Sequence, residues 1–396
     1  LYNSDGMNKT IFALMCFGLC VVPLSFAQTN IYCVGGNSGV GWINSTYYAA
    51  VSNSGIGAWQ SSTDYPITEV YGLSCTTDNI NIYCVGGASP AGVLNNSYYA
   101  HLYSNGIGSW HVTNKYDLNL YGLSCTATND SIYCVGTGSD SGYINYSNST
   151  YYAAVSNSGI GAWQSSTDYP SAINMQSCDI TNDSIYCVGG SIGADVSNLT
   201  YFAPVLSANG IEAWISGADY PINITSESCV ISELAGGYMY CSGGTLNGNA
   251  TNLTYYSLVS SANGIEAWVQ DIDYPINITA HSCGTMDSNL YCVGGNSANV
   301  TNKTFYASVS SAGIMLGWNN GTDYPTPTYM QSCVVYASNL TKPTTTIYTT
   351  TTILPQNQAK KIVFDIIGDA ANAFFTFVGA MVMVAVYIMY KKSTKR

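Results

Sequence analysis

The residues able to do chemistry in this sequence are its cysteines, three histidines and a recurring aspartate. There are 14 cysteines. Twelve of them alternate between two contexts. Ser-Cys occurs at Cys75, Cys125, Cys178, Cys229, Cys283 and Cys333, and Tyr-Cys at Cys33, Cys84, Cys134, Cys187, Cys241 and Cys292. Five neighbouring pairs follow: 75–84, 125–134, 178–187, 229–241 and 283–292, four spaced by nine residues and one by twelve. A zinc site wants ligands two to four residues apart. No two of these cysteines are that close and no histidine adjoins one, so disulfide formation is the expected chemistry. This density of cysteine suits an oxidising compartment.

Little else is reactive. His101, His111 and His281 are the only histidines. They fall at three different repeat positions, which gives no copper or zinc set. Asp64, Asp168, Asp219, Asp273 and Asp323 recur in Asp-Tyr-Pro, and Tyr116-Asp117 fills that slot once. A carboxylate repeated so regularly reads as a turn former. Asp271 beside Asp273 could serve calcium, but no EF-hand loop surrounds them. Gly-Gly pairs recur without a following lysine or helix, so they are not phosphate loops. The expectation is therefore no catalytic, metal or cofactor-binding residue and a non-enzymatic role. Charge narrows the partners further. The chain carries 22 acids and 10 bases, a net charge of -12. Between Gln28 and Pro355 stand only Lys115, Lys303 and Lys342, and no arginine. A nucleic-acid surface needs many more cations than that.

The elements that hold these residues repeat six times. Trp59, Trp110, Trp163, Trp214, Trp268 and Trp318 lie 51, 53, 51, 54 and 50 residues apart. Each ends a Gly-Ile segment. Upstream is an aromatic strand such as Tyr47-Tyr48-Ala49-Ala50-Val51, and upstream again Tyr-Cys-Val-Gly-Gly, as at Tyr32–Gly36. After each Trp come a turn and then the Ser-Cys strand. Short runs of β-branched and aromatic residues bounded by Gly, Asn, Ser and Pro predict strands, and a period near 50 with four strands per unit predicts an all-β, six-bladed propeller over residues 28–337. The Trp and Tyr stripes are expected to pack the blades.

This pattern of a Gly-Gly strand, a Tyr strand and a Trp strand resembles the kelch repeat, including the central domain of galactose oxidase, across all six units. The arginine that often follows the turn in kelch units is absent, and the cysteines are additional. The strands are named a to d outward from the axis, with Ser-Cys on a and Tyr-Cys on b. They then form a hairpin whose facing cysteines lie within disulfide reach. Cys33 and Cys333 are left over at the two ends, and closing the ring pairs them. That bridge is worth roughly 5 kcal/mol in the loop-closure description.

Asn-x-Ser/Thr acceptors mark one face. Asn44, Asn95, Asn145, Asn148, Asn198, Asn249, Asn252, Asn299 and Asn302 precede strand c; Asn223, Asn277 and Asn320 follow strand d; Asn129 and Asn182 sit in a–b hairpins, and Asn339 lies beyond the ring. In an up-and-down blade the b–c and d–a connections share a face, so 12 of the 15 acceptors emerge together. Their recurrence in every blade reads as deliberate glycan display. The chain would leave from the opposite face.

The two ends look like targeting segments. Residues 7–27 have a basic start, an apolar run and Ser25-Phe26-Ala27, as a signal peptide does, with Cys16 and Cys20 inside it. Residues 338–361 are a Thr-rich stalk and juxtamembrane segment. Residues 362–390 contain the charge-free run Ala370–Tyr390, long enough to span a bilayer, and residues 391–396 form a basic cytoplasmic tail. In style the chain is similar to extracytoplasmic proteins of archaea, which use the same acceptor motif. The expected role is a single-pass surface glycoprotein of the plasma membrane, its propeller serving binding, adhesion or an envelope. Its partner would be a protein or glycan outside the cell. The alternative is a membrane-tethered carbohydrate-active enzyme or lectin working at the ring axis.

Overall fold

The computed structural model describes residues 28–136, 138–140, 143–206, 209–232 and 237–337. The expected signal peptide, stalk, membrane span and tail, and Asn339, lie outside these residues. Among the described residues no helix is long and apolar enough to cross a membrane.

The chain forms six antiparallel blades around an axis. Strand a is Ser332–Ala337, Ser74–Thr77, Ser124–Ala127, Ser177–Ile180, Ser228–Ser232 and Ser282–Met286 in blades 1 to 6. Strand b is Thr29–Asn37, Asn81–Val85, Ser131–Val135, Ser184–Val188, Tyr238–Ser242 and Asn289–Val293. Strand c is Trp42–Ser52, Ser97–Tyr103, Thr150–Ser156, Thr200–Pro204, Thr254–Ser260 and Thr304–Val309. Short segments such as Val269–Gln270 and Met315–Asn320 supply strand d. Blade 1 is completed by the C-terminal strand: Thr29–Asn37 pairs with Ser332–Ala337 in the register Cys33↔Cys333.

The b strands are buried along almost their whole length because neighbouring blades cover both of their faces. This explains why Ile-Tyr-Cys-Val reads as a continuous apolar run rather than an alternating one. The core is accordingly six clusters, each shared by two adjacent blades. One joins Tyr32, Val34 and Tyr48 of blade 1 to Ile82, Cys84 and Ala100 of blade 2. The last joins Tyr291 and Val293 of blade 6 to Ile31 and Cys33 of blade 1.

Three repeated contacts explain the repeated residues. Each Trp indole N–H donates to a backbone carbonyl of the preceding blade, from Trp110 to Thr63 at 3.0 Å round to Trp59 to Thr322 at 2.9 Å. Each Trp also meets edge-on the buried Tyr of the preceding turn, such as Trp268 on Tyr220 at 4.8 Å. The Gly-Gly turn lets the next blade approach: the Gly244 N–H donates to Ile278 O at 2.8 Å. A Cβ on Gly243, whose φ is +61°, would lie 2.7 Å from that same oxygen.

Candidate functional site

The site is built from the six a strands, which line the axis. Each Ser of Ser-Cys accepts the Cys N–H of the following blade. Ser74 serves Cys125, Ser124 serves Cys178, Ser177 serves Cys229, Ser228 serves Cys283, Ser282 serves Cys333 and Ser332 serves Cys75, all at 2.9–3.0 Å. The repeated serine is thus a ring of hydrogen bonds around the axis. One level higher, on the b–c and d–a face, a second ring is made of backbone alone. It runs N–H to O=C from Gly72 to Met330, Ala280, Ser226, Met175, Gly122 and back to Gly72. All six residues have φ between +53° and +70°, so each turns its amide along the ring.

Between these rings lies one residue per blade: Leu73, Leu123, Gln176, Glu227, His281 and Gln331. All are buried. Gln176 and Gln331 donate Nε2 to Val135 O at 2.8 Å and Val293 O at 2.6 Å, the carbonyls that end the preceding b strands. Burial raises the Glu227 carboxyl to about 8; the backbone N–H groups of Glu227 and Ser177 offset part of this. The acid is therefore mostly protonated at neutral pH, and it occupies the glutamine slot as an isostere. Burial lowers His281 to about 3, so it is neutral. Its Nε2 lies 3.1 Å from Ser242 Oγ.

Above the backbone ring the sixfold pattern breaks. The residue before each ring position is Tyr71, Tyr121, Asn174, Thr225, Thr279 and Tyr329. Three tyrosines therefore fall on adjacent blades and three smaller polar residues on the other half. Trp42, the one tryptophan of seven outside the repeat, packs its ring 4.6 Å from Tyr71, and Tyr71 meets Tyr121 at 5.3 Å. Tyr121 reaches across the mouth and donates its hydroxyl to Met330 Sδ at 3.3 Å. Its pKa is raised, chiefly by burial and then by Tyr71 and Tyr329. The Tyr329 hydroxyl accepts from Asn37 Nδ2 at 2.9 Å. All four aromatics are half-buried. The mouth opens into a small cavity of about 130 Å³ that includes Tyr121, Gln176, Glu227, His281 and Gln331. At the other end of the axis, a polar depression of about 490 Å³ is walled by a–b hairpins carrying Asn129, Asn182, Asp179 and Asp287.

The structure joins Cys33 to Cys333 and 75–84, 125–134, 178–187, 229–241 and 283–292 to one another, with Cα atoms 4.0–4.1 Å apart. These are the pairs expected from spacing and ring closure. Six disulfides point to an extracellular or otherwise oxidising environment. His281 lies within 4.8 Å of the sulfurs of Cys283 and Cys292, but those sulfurs are bonded to each other and are no longer thiolates. His101 and His111 are exposed on blade 2, against Tyr103 and Tyr99 respectively, on the far side of the blade core from His281's axial slot. The turn aspartates serve backbone and surface: Asp64 accepts the Thr46 N–H at 3.3 Å and Asp323 pairs with Lys303 at 2.8 Å. Asp271 accepts the N–H groups of Ile272 and Met315, a link from blade 5 to blade 6.

The acceptor asparagines divide into two groups. Asn44, Asn95, Asn148, Asn198, Asn252 and Asn302 fill one equivalent slot, where each backbone carbonyl accepts the N–H of the turn tyrosine at 2.7–3.0 Å. The Ser or Thr two residues on is buried in every blade: Thr46, Ser97, Thr150, Thr200, Thr254 and Thr304. The recurrence read as deliberate display therefore has a reason in the fold itself. Asn129, Asn182, Asn223, Asn249, Asn277, Asn299 and Asn320 are instead exposed. Asn145 lies in the small blade 3 hairpin.

No protein-family model matches the chain, and no curated protein matches it. Among solved structures it is similar to one described as "Structure of YjhT", with a TM-score of 0.57 and 11% identity. The match covers 75% of this chain and 98% of that one. At this identity the likeness concerns the fold.

Proposed function

We propose that the chain is a single-pass surface glycoprotein whose propeller is a binding module, and that the axial mouth on the b–c and d–a face is its contact surface. The observation that carries this reading is the break in sixfold symmetry at that mouth. The six blades otherwise repeat the same contacts, yet Trp42, Tyr71, Tyr121 and Tyr329 gather on one side of the mouth and stay half-exposed. Half-exposed aromatics clustered around a cavity are what contact sites use. Ala337 ends strand a at the other face, so the proposed stalk and membrane span over residues 338–390 would begin at the end of the ring opposite the mouth. Adhesion, recognition and envelope assembly are all served by that arrangement.

The test of topology is protease shaving of intact cells that express the full chain with a C-terminal epitope. The expected result is loss of the propeller from the cell, with the epitope retained as a small membrane-bound fragment. Retention of an intact chain that becomes cleavable only after lysis would contradict the reading. The lectin alternative draws support from the same aromatic cluster.

A further inference from the structure

We infer that the axial mouth binds an uncharged carbohydrate, with a sugar ring stacked on the aromatic half and its hydroxyls directed to the polar half and the cavity below. This rests on the reading of the mouth as the contact surface and assigns its ligand class.

Three observations carry it. The first is the aromatic platform itself. Trp42 stacks on Tyr71, with ring centroids 4.6 Å apart and planes tilted by 34°, and Tyr121 meets Tyr71 edge-on at 5.3 Å. Such an apolar wall matches the C–H face of a pyranose, and each aromatic keeps a polar tip for a hydroxyl. On the other half Asn174, Thr225 and Thr279 occupy the equivalent positions; Asn174 Oδ1 is buried without a partner, while the Thr225 and Thr279 hydroxyls are hydrogen-bonded between blades, to Ser191 and to Thr245.

The second is a set of buried acceptors without partners. Oε1 of Gln176, Oε1 of Gln331 and Nδ1 of His281 accept no hydrogen bond. Each residue is only 5–6% exposed and lines the cavity beneath the platform. Buried acceptors left open are costly, and a hydroxyl donor entering from the mouth satisfies them. At about 130 Å³ the cavity is well below the size of a usual small-molecule pocket. It takes hydroxyl groups, while the sugar ring stays above it.

The third is charge. Residues 28–337 contain Lys115 and Lys303 as their only basic side chains besides histidine, and no arginine. His281 at the mouth is neutral and Glu227 is mostly protonated. An acidic sugar would find no counter-charge and a cationic ligand no carboxylate, whereas a neutral glycan leaves no charge unpaired.

The experiment uses the full chain in detergent micelles. The probes are neutral gluco-, manno-, galacto- and N-acetylglucosamine oligosaccharides, with sialylated and uronic-acid oligosaccharides as charged controls. Binding is read by array and by tryptophan fluorescence. The expected result is binding of at least one neutral series, weakened tenfold or more by Trp42→Ala and by Tyr71→Ala. Val112→Ala on the exposed outer rim should leave it unchanged. Non-reducing peptide maps and thermal melts confirm that each variant is folded, and Trp42→Phe should retain part of the affinity. Preference for the acidic series, or neutral binding that survives both alanine variants, overturns the inference. If no glycan binds but a cell-surface protein is held through Trp42 and Tyr71, the ligand class falls and the contact surface stands. If that contact is also indifferent to both variants, the contact surface falls as well.

Discussion

At the scale of single residues, the axial slot makes a pH prediction whose sign can be worked out. Folding raises Glu227 from 4.5 to about 8. Between those values the unfolded chain is ionised while the folded one keeps its proton, so stability falls as pH rises, by about 1.4 kcal/mol per pH unit. His281 behaves oppositely, since folding lowers it from 6.5 to about 3 and stability falls as pH drops through that window. Glu227→Gln should therefore stabilise the protein most at pH 8 and above, with the gain fading to nothing below pH 4.5. His281→Gln should give no pH-dependent gain above pH 7 and an increasing one below 6.5. Denaturant titrations across pH 4–9 check both, and a difference independent of pH would contradict them. The buried tyrosines, one in a turn and one on strand b, give a second residue-level prediction. The Tyr220 hydroxyl has no partner, whereas that of Tyr240 donates to Gly313 O at 2.8 Å. Tyr220→Phe should be neutral or stabilising in thermal melts, and Tyr240→Phe should cost about 1 kcal/mol. None of these slot residues was legible beforehand, because Leu, Gln, Glu and His share no chemistry in sequence. Only the ring geometry makes them equivalent.

At the scale of elements, the repeat was legible because its residues perform the same contact six times. The Trp stripe, the Gly-Gly turn and the Ser-Cys strand each answer to one inter-blade contact, so periodicity pointed to them directly. The asparagines add a second use of a repeated slot. A slot repeated in every blade pointed to glycan display, while the fold uses the Asn carbonyl and the buried Ser or Thr to seat the turn tyrosine. The two uses can be separated. Asn198 also donates Nδ2 to Tyr220 O at 3.1 Å, and Asn299 is exposed on a hairpin. In protein made without glycosylation, Asn198→Gln should lower stability by about 1 kcal/mol and Asn299→Gln should leave it unchanged, as read by thermal melting. The aromatic mouth was missed for the converse reason. Trp42 lies outside the repeat, and Tyr71, Tyr121 and Tyr329 sit where the repeat drifts, so comparison between units discards them.

At the scale of the whole molecule, the account depends on closure. The first strand and the last belong to one blade, and the bond between Cys33 and Cys333 spans 300 residues of sequence. The hairpin bridges span nine or twelve. Loop-closure entropy makes the long bridge worth about 5 kcal/mol and a hairpin bridge about 3. Cys33→Ala with Cys333→Ala should accordingly lower stability more than Cys75→Ala with Cys84→Ala, and should open the ring first in hydrogen exchange at Thr29–Asn37. The propeller and its disulfides were legible in sequence because a closed circle leaves two unpaired half-blades at the chain ends. The face proposed for binding was legible only as far as the position of the loops. The measurement that tests closure most directly is peptide mapping of the protein without reduction. The account predicts one disulfide-linked peptide pair containing Cys33 and Cys333, together with five hairpin pairs. Cys33 found free, or joined to any cysteine other than Cys333, would contradict it.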